Sequence, residues 1–173
     1  IGFAHQRLSI LDHEGGHQPM VTPDENIGVV FNGQIYNHLS LRSQLKEAGY
    51  NFQSDHSDTE ILVHGYAHWG TGILSKLNGM FALAFWSIDS KELLIARDRL
   101  GIKPLYFLKD DDCFAFSSEL KGLKSIQPEL GGFSIDHNSI NSFLHLGYIP
   151  KPKTIYNEIE KFPPGHFGIY KGG

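Results

Sequence analysis

The chain has 173 residues, a formal net charge of −4, and 40% hydrophobic residues, which suits one domain with a core of its own over residues 1–173. The negative charge argues against nucleic acid or an anionic membrane as a partner, and no apolar run is long enough to span a bilayer. The single cysteine excludes an internal disulfide framework and favours the reducing cytoplasm.

The first half of the chain predicts one strand and two helices. An apolar run over residues 27–32 predicts a buried strand. A helical pattern follows over residues 38–48, which Asn37 can cap at its start. A second helix is predicted over residues 58–68.

The second half predicts antiparallel strand pairs and two further helical segments. Four apolar runs, separated by short polar turns, predict two hairpins with strands over residues 80–88, 92–97, 104–108 and 113–117. A helical turn near Glu119, a helix capped by Asp136 and a last strand over 166–170 follow. Helices set between antiparallel strand pairs predict an α+β fold with layered sheets.

Asn32 and Gly33 end the first predicted strand and allow two interpretations. An Asn-Gly pair after a strand is typical of a hairpin turn, because both residues tolerate positive φ. The same pair can direct an amide side chain and a backbone N–H at one point. Two such donors are what an oxyanion needs when an amide is attacked.

Arg7 and Asp58 offer the two charges that a free α-amino acid requires. The planar fork of Arg7 suits a carboxylate, and the carboxylate of Asp58 suits an ammonium group. Each charge-assisted contact contributes roughly 1.5–3 kcal/mol. The alternatives are a surface ion pair for Arg7 and a capping box formed by Ser57 and Glu60 at the start of the second helix.

Seven motifs then occur in a fixed order: R-L-S-I-x-D, G-H-Q-P-M, F-N-G-x-I-Y-N, S-D-T-E, N-G-M-F-A-L-A-F-W, A-R-D-R-L-G-I-K-P-L-Y and S-S-E-L-K. Together they closely resemble the glutaminase domain of the asparagine synthetase family, a class II glutamine amidotransferase domain. The first and sixth motifs favour this family over the phosphoribosyl and glucosamine-phosphate amidotransferases. The resemblance extends from Arg7 to about His166. It implies a four-layer αββα sandwich of the N-terminal-nucleophile hydrolase type, here expected to lack its first strands.

The resemblance also implies which residues bind the substrate glutamine. Arg7 matches the residue that binds the glutamine carboxylate, and Leu8 and Ile10 match the strand backbone beside the substrate. Asp58 matches the ligand of the glutamine ammonium. Gln34 stands where the family usually has glutamate, so it offers hydrogen bonds to the substrate but no charge.

The resemblance assigns the oxyanion hole to Asn32 and Gly33 but finds no nucleophile. Family members begin with a cysteine whose thiol attacks the amide and whose own amine acts as base, whereas this sequence begins at Ile1. The remaining cysteine, Cys113, follows acidic residues that disfavour a thiolate, and we interpret it as structural. We therefore expect an N-terminally truncated domain that does not hydrolyse glutamine as given.

Two other charged or histidine-rich segments carry no site in this interpretation. His64 and His68 stand four residues apart, but Gly65 occupies the position where H-E-x-x-H needs glutamate, so we expect no metal site. The charged loop beginning at Asp98 lacks the spacing of a phosphate-binding P-loop. We interpret it as a rigid structural loop that faces a second domain.

The expected function of the intact parent is hydrolysis of glutamine to glutamate and ammonia, followed by ATP-dependent amidation of aspartate. No cofactor is expected in this domain, because ATP and Mg would bind a synthetase domain whose S-G-G-x-D-S signature does not occur here. The expected partners are glutamine, that synthetase domain and a second copy of the chain, since missing strands would leave open sheet edges. The alternatives are a non-catalytic amino-acid-binding or interaction module and an amidotransferase with a different acceptor.

Overall fold

The computed structural model describes residues 1–5, 17–55, 57–110, 113–126 and 132–171. The strands in these ranges are β1 (Met20–Val21), β2 (Ile27–Ile35), β3 (Gly79–Ser87), β4 (Glu92–Arg97), β5 (Tyr106–Lys109), β6 (Phe114–Ser117), β7 (Glu160–Lys161) and β8 (Phe167–Lys171). The α-helices are α1 (His38–Glu47), α2 (Asp58–Trp69), α3 (Ile73–Lys76), α4 (Leu120–Ser125) and α5 (His137–Leu146), and a short 3₁₀ helix at Gly70–Gly72 joins α2 to α3. None of these helices is long and apolar enough to cross a membrane.

The strands form two antiparallel sheets. The first has the order β1-β2-β3-β4-β8, and the second has the order β6-β5-β7. Strand β2 pairs with β3 along its whole length, from Ile27 opposite Ser87 to Ile35 opposite Gly79. The predicted end of this strand at residue 32 was wrong, and so was the hairpin-turn interpretation of the Asn-Gly pair. Pairing with β3 carries the strand three residues further.

Three apolar clusters define four layers. Helices α1 and α2 cover one face of the first sheet, where Leu41, Ile61 and Phe85 share a buried cluster. The opposite face of that sheet packs on the second sheet, through a cluster that includes Ala84 and Ile95. On the outer face of the second sheet, α4 contributes to a third cluster, of Leu108, Leu123 and Ile159. The predicted α+β class is confirmed, and its layers follow the helix–sheet–sheet–helix order.

Side chains of β2 alternate between these two faces. Val29, Phe31 and Ile35 belong to the cluster under the helices, whereas Val30 belongs to the cluster between the sheets. Asn32 has the same parity as Val30, so its side chain leaves the strand on the face towards the second sheet.

Two predicted side-chain caps are wrong. Asn37 makes no cap bond to α1. Its amide instead donates to the carbonyl of Lys76 at 2.9 Å and accepts from the N–H of Asn78 at 2.9 Å. Ser57 makes no side-chain cap bond to α2, so the capping-box alternative is also wrong. The cap predicted at Asp136 is confirmed, since its side chain accepts from a backbone N–H of α5.

The charged loop after β4 is a structural turn whose backbone N–H groups bond the carboxylate of Asp98, as predicted for a hydrogen-bonded turn. Asp98 is 1% exposed and accepts hydrogen bonds from the backbone N–H groups of Phe81, Leu100, Ile102 and Lys103. Burial pushes the pKa of Asp98 upward, but these four bonds outweigh it and hold the pKa below its ordinary value. That the loop faces a second domain stays a prediction.

Candidate active site

A cavity of about 1180 Å³ opens between segment 17–25, the start of α1 and the start of α2. Its lining includes two residues that the sequence assigned to substrate binding, Gln34 and Asp58. It also includes two buried titratable side chains that the sequence did not assign, Glu60 and His64. The structure therefore brings the end of β2 and the first turn of α2 to one concave surface.

Asp58 connects α2 to β2. It is the first residue of α2, and its Oδ2 accepts a hydrogen bond of 3.0 Å from the backbone N–H of Ile35. A carboxylate in the first turn of a helix is also favoured by the helix dipole. The negative charge of Asp58 is thus held two residues along the strand from Gly33.

The edge of β2 that faces away from β3 presents a row of backbone amides. Phe31 donates to the Oε1 of Gln18 at 2.6 Å, and Ile35 donates to Asp58. Gly33 lies between them and is opposite Phe81 of β3. Phe81 uses its own N–H and C=O to bond Asp98, so Gly33 and Phe81 form a non-hydrogen-bonded pair and the Gly33 N–H points away from β3.

Position 33 has no room for a side chain. A Cβ on Gly33 would lie 2.1 Å from the carbonyl oxygen of Met80 and 2.8 Å from the Cα of Phe81. The glycine is therefore required by close strand approach, and its N–H lies on the strand edge that faces away from β3. Asn32, the neighbouring candidate, is partly buried, and neither residue is among those that line the cavity.

Three predicted binding residues, Arg7, Leu8 and Ile10, lie outside the described residues. Their placement relative to the cavity stays a prediction.

Sequence reasoning missed a buried charged pair beside Asp58. Arg42 of α1 is 6% exposed and donates from Nη1 to the carbonyl of Ser54 at 2.6 Å and from Nη2 to the carbonyl of Ser57 at 3.2 Å. Its guanidinium lies over the ring of Phe52, 4.2 Å from the centroid, and 3.9 Å from the carboxylate of Glu60. The sequence held one indication of this pair, because Arg42 directly follows Leu41 on the side of the predicted helix that is buried.

Glu60 bonds the same loop from α2. Its carboxylate accepts from the backbone N–H of Gln53 at 2.6 Å, from the N–H of Ser54 at 2.9 Å and from the hydroxyl of Ser54. Burial pushes the pKa of Glu60 upward, but the bonds from Ser54 and Gln53 outweigh it, so the pKa stays below its ordinary value. Glu60 is therefore charged near neutral pH and occupied by the loop, which explains why it forms no capping box.

His64 lies one turn after Glu60, with its Nε2 3.7 Å from the carboxylate. Burial lowers the pKa of His64, and the attraction of Glu60 opposes this only in part, so the ring is neutral at pH 7. Within the described ranges, no group of three or more His, Cys, Asp and Glu side chains could hold a metal ion.

Cys113 lies in the second sheet's hairpin rather than at the cavity. Its N–H donates to the carboxylate of Asp110 at 2.7 Å. Burial and the charge of Asp110 raise the pKa of the Cys113 thiol above its ordinary value. This is the direction expected from the acidic neighbours, and it disfavours a nucleophilic thiolate.

The layered sheets are those of the amidotransferase fold. The solved structure of glutamine phosphoribosylpyrophosphate amidotransferase from Bacillus subtilis matches the chain at 27% identity and a TM-score of 0.53. The match covers 63% of this chain and 26% of the amidotransferase chain. A structure described as the allosteric regulatory enzyme of purine biosynthesis covers 90% of the chain with a TM-score of 0.58, and at 23% identity it supports the fold alone. The family model of the glutamine amidotransferase domain matches residues 1–173, and the chain belongs to this family.

Within the family, several similar sequences are glutamine-hydrolysing asparagine synthetases. The chain is 40% identical over 165 residues to glutamine-hydrolysing asparagine synthetase 1 of Bacillus subtilis strain 168, which covers 95% of the chain. It is 41% identical over 166 residues to asparagine synthetase 2 of Oryza sativa subsp. japonica. These matches confirm the resemblance seen in the motifs. The chain spans about a quarter of the length of these relatives, 26% and 28% respectively.

Proposed function

We propose that this chain is the glutaminase domain of an asparagine-synthetase-like enzyme. In the intact protein it hydrolyses glutamine to glutamate and ammonia, and the ammonia amidates aspartate in an ATP-dependent step. The observation that carries the proposal is the bond between Asp58 and β2, because it fixes an anion beside the Asn32-Gly33 pair. ATP and Mg belong to the synthetase part of the parent, and this domain needs no cofactor of its own.

The spacing along β2 supports glutamine as the ligand. A strand rises about 3.4 Å per residue, so the amides of Gly33 and Ile35 lie about 7 Å apart. An extended chain covers about 1.2 Å per bond, so the five bonds from the α-amine of glutamine to its carboxamide oxygen span about 6 Å. A glutamine whose ammonium meets Asp58 thus reaches Gly33 with its carboxamide.

In this arrangement each residue has a separate task. Asp58 pairs with the ammonium, and Arg7 pairs with the α-carboxylate. The Gly33 N–H and the Asn32 side-chain amide donate to the oxygen of the tetrahedral intermediate. One oxyanion-hole donor typically contributes on the order of 10²–10³ in rate. Gln34 offers a hydrogen bond near the ammonium, which leaves Asp58 as the proposed anionic ligand.

The proposed nucleophile is an N-terminal cysteine of the mature parent. Its thiolate attacks the carboxamide carbon to form a thioester and release ammonia, and water then releases glutamate. Cys113 does not suit this role, because its pKa is raised and it lies in the hairpin of the second sheet. The single cysteine of the chain supports a cytoplasmic location. Among the described residues, β8 ends the first sheet and β6 ends the second, and such edge strands support self-association of the isolated chain.

The test is Asn32→Ala in the full-length protein, with glutaminase activity and asparagine formation measured side by side. We expect glutamine-dependent turnover to fall on the order of 10²-fold while ammonia-dependent asparagine formation is retained. Asn141→Ala, on the exposed side of α5, is the matched control and should leave both activities unchanged. Equal loss of both activities would contradict the oxyanion role, and amidation of another acceptor would contradict the assignment to asparagine.

A further inference from the structure

The loop before Asp58 is held by charged side chains rather than by a helix or a strand. The residues described between 51 and 57 belong to no regular element. Glu60 accepts from the N–H groups of Gln53 and Ser54, and Arg42 donates to the carbonyls of Ser54 and Ser57. Four backbone groups are therefore fixed by two buried charges.

This network ends directly at the proposed ammonium ligand. Ser57, whose carbonyl accepts from Arg42, is followed by Asp58, whose carboxylate accepts from Ile35. The start of α2 is thus fixed on one side by β2 and on the other by Arg42 and Glu60. A shift of the loop would move the Asp58 carboxylate along or away from the strand that carries Gly33.

Stability alone does not explain a buried pair at this place. Arg42 and Glu60 are each 6% exposed, and burying two charges is often no better for stability than an apolar pair of similar volume. An apolar pair could fill the space between α1 and α2, but it could not bond two amides and two carbonyls of the loop. What the charges add is a fixed orientation of the loop backbone.

We propose that Arg42 and Glu60 are positioning residues for glutamine binding, which hold the loop so that Asp58 faces the substrate ammonium. The inference rests on the function proposed above, because it acts through Asp58. In this proposal the two side chains act through the loop and Asp58 rather than by direct contact with glutamine. They set the distance between the ammonium ligand on α2 and the oxyanion donors on β2.

The chemistry of the two side chains dictates the variants. Glu60→Gln keeps the shape but has one acceptor oxygen, so an NH₂ group faces one of the two loop amides. Arg42→Lys keeps the charge but replaces a planar fork with a single ammonium, which cannot hold the carbonyls of Ser54 and Ser57 in the same geometry. Glu47→Gln on the exposed part of α1 is the matched control, since the bond that Glu47 accepts within the described part of the chain comes from a neighbouring serine side chain, at 3.4 Å.

The experiment measures glutaminase kinetics of the full-length protein, with ammonia-dependent synthesis as the check on integrity. For Glu60→Gln and Arg42→Lys we expect the KM for glutamine to rise about tenfold or more and kcat to fall less than about threefold. Ammonia-dependent synthesis and Glu47→Gln should match the unmodified protein. A general loss of folding would lower kcat and ammonia-dependent synthesis together, which separates it from a positioning effect.

A double-mutant cycle with Asp58→Asn tests whether the effect passes through Asp58. Once Asp58→Asn has raised KM, Glu60→Gln should raise it no further. The positioning role is overturned if Glu60→Gln raises the KM by the same factor with and without Asp58→Asn, or if Glu60→Gln alone does not raise the KM. Either result leaves the proposed function intact. An unchanged KM in Asp58→Asn alone overturns both, because the ammonium ligand would then be elsewhere. If Glu60→Gln fails to fold, Ser54→Ala removes the hydroxyl bond to Glu60 and the 3.3 Å bond that this hydroxyl accepts from Arg42. It keeps the backbone bonds of the loop and should give a smaller rise in KM.

Discussion

Replacing Gly33 with alanine tests the close approach of β2 and β3. The added Cβ would lie 2.1 Å from the Met80 carbonyl oxygen, about 1.3 Å short of the 3.4 Å at which ordinary contact begins. The obstacle is the backbone of β3, which pairs with all nine residues of β2, so it cannot rotate away as a side chain would. The strands must separate locally, which stretches the ladder bonds of Asn32 and Gln34 on either side.

The magnitude follows from these two effects. Overpacking of a close contact costs about 1–3 kcal/mol, and each ladder bond weakened by separation costs about 1 kcal/mol. We therefore expect Gly33→Ala to lower the free energy of unfolding by about 3–5 kcal/mol. For a domain of this size, that corresponds to a fall in melting temperature of about 6–20 °C.

The assay is thermal unfolding of the full-length protein, monitored for the transition of this domain. Gly28→Ala is the matched control, because Gly28 lies on the same strand and its added Cβ would meet only Val21 Cγ1 at 3.7 Å. Gly28→Ala should stay within about 2 °C of the unmodified protein. The reasoning is refuted if Gly33→Ala melts at the same temperature as Gly28→Ala.

Two further predictions concern single side chains. Gln34→Glu should lower the KM for glutamine severalfold in steady-state kinetics, because it adds a carboxylate to the cavity that holds Asp58; a rise in KM would show that residue 34 does not meet the ammonium. Asp98→Asn should destabilise the domain by roughly 1.5–3 kcal/mol in denaturant unfolding, since an amide cannot accept all four backbone bonds. Because the folded pKa of Asp98 lies below the unfolded value near 3.8, its contribution is present above that pH and is lost as the pH falls towards the folded pKa. In the Asp98→Asn variant, the free energy of unfolding should therefore fall less steeply as the pH is lowered through this range. An unchanged pH dependence would contradict the role assigned to Asp98.

Local patterns in the sequence predicted most elements to within a few residues. The helix predicted over residues 38–48 is α1, and the one predicted over residues 58–68 is α2. Both hairpins were recognised because their strands are apolar runs joined by short polar turns. These features depend on neighbouring residues, so they can be read without knowing which strands pair.

The errors came from bonds between distant parts of the chain. The Asn-Gly pair favours a turn locally, but pairing with Gly79 extends the strand, and a Cβ on Gly79 would lie 2.3 Å from the carbonyl of Gln34. Asn37 favours a cap locally, yet its amide holds the segment that leads into β3. Glu60 favours a capping box, yet its carboxylate bonds the loop before α2. Each choice depends on a partner that the local pattern does not contain.

The alternation of amides along β2 has a consequence for hydrogen–deuterium exchange. The amides of Asn32 and Gln34 face Ala82 and Met80 within the ladder, so solvent deuterium reaches them only when the sheet opens. The amide of Gly33 faces outward between them and should take up deuterium much sooner. Saturating glutamine should slow that one position while its two neighbours keep their rates, which gives a residue-level signature of an occupied oxyanion hole.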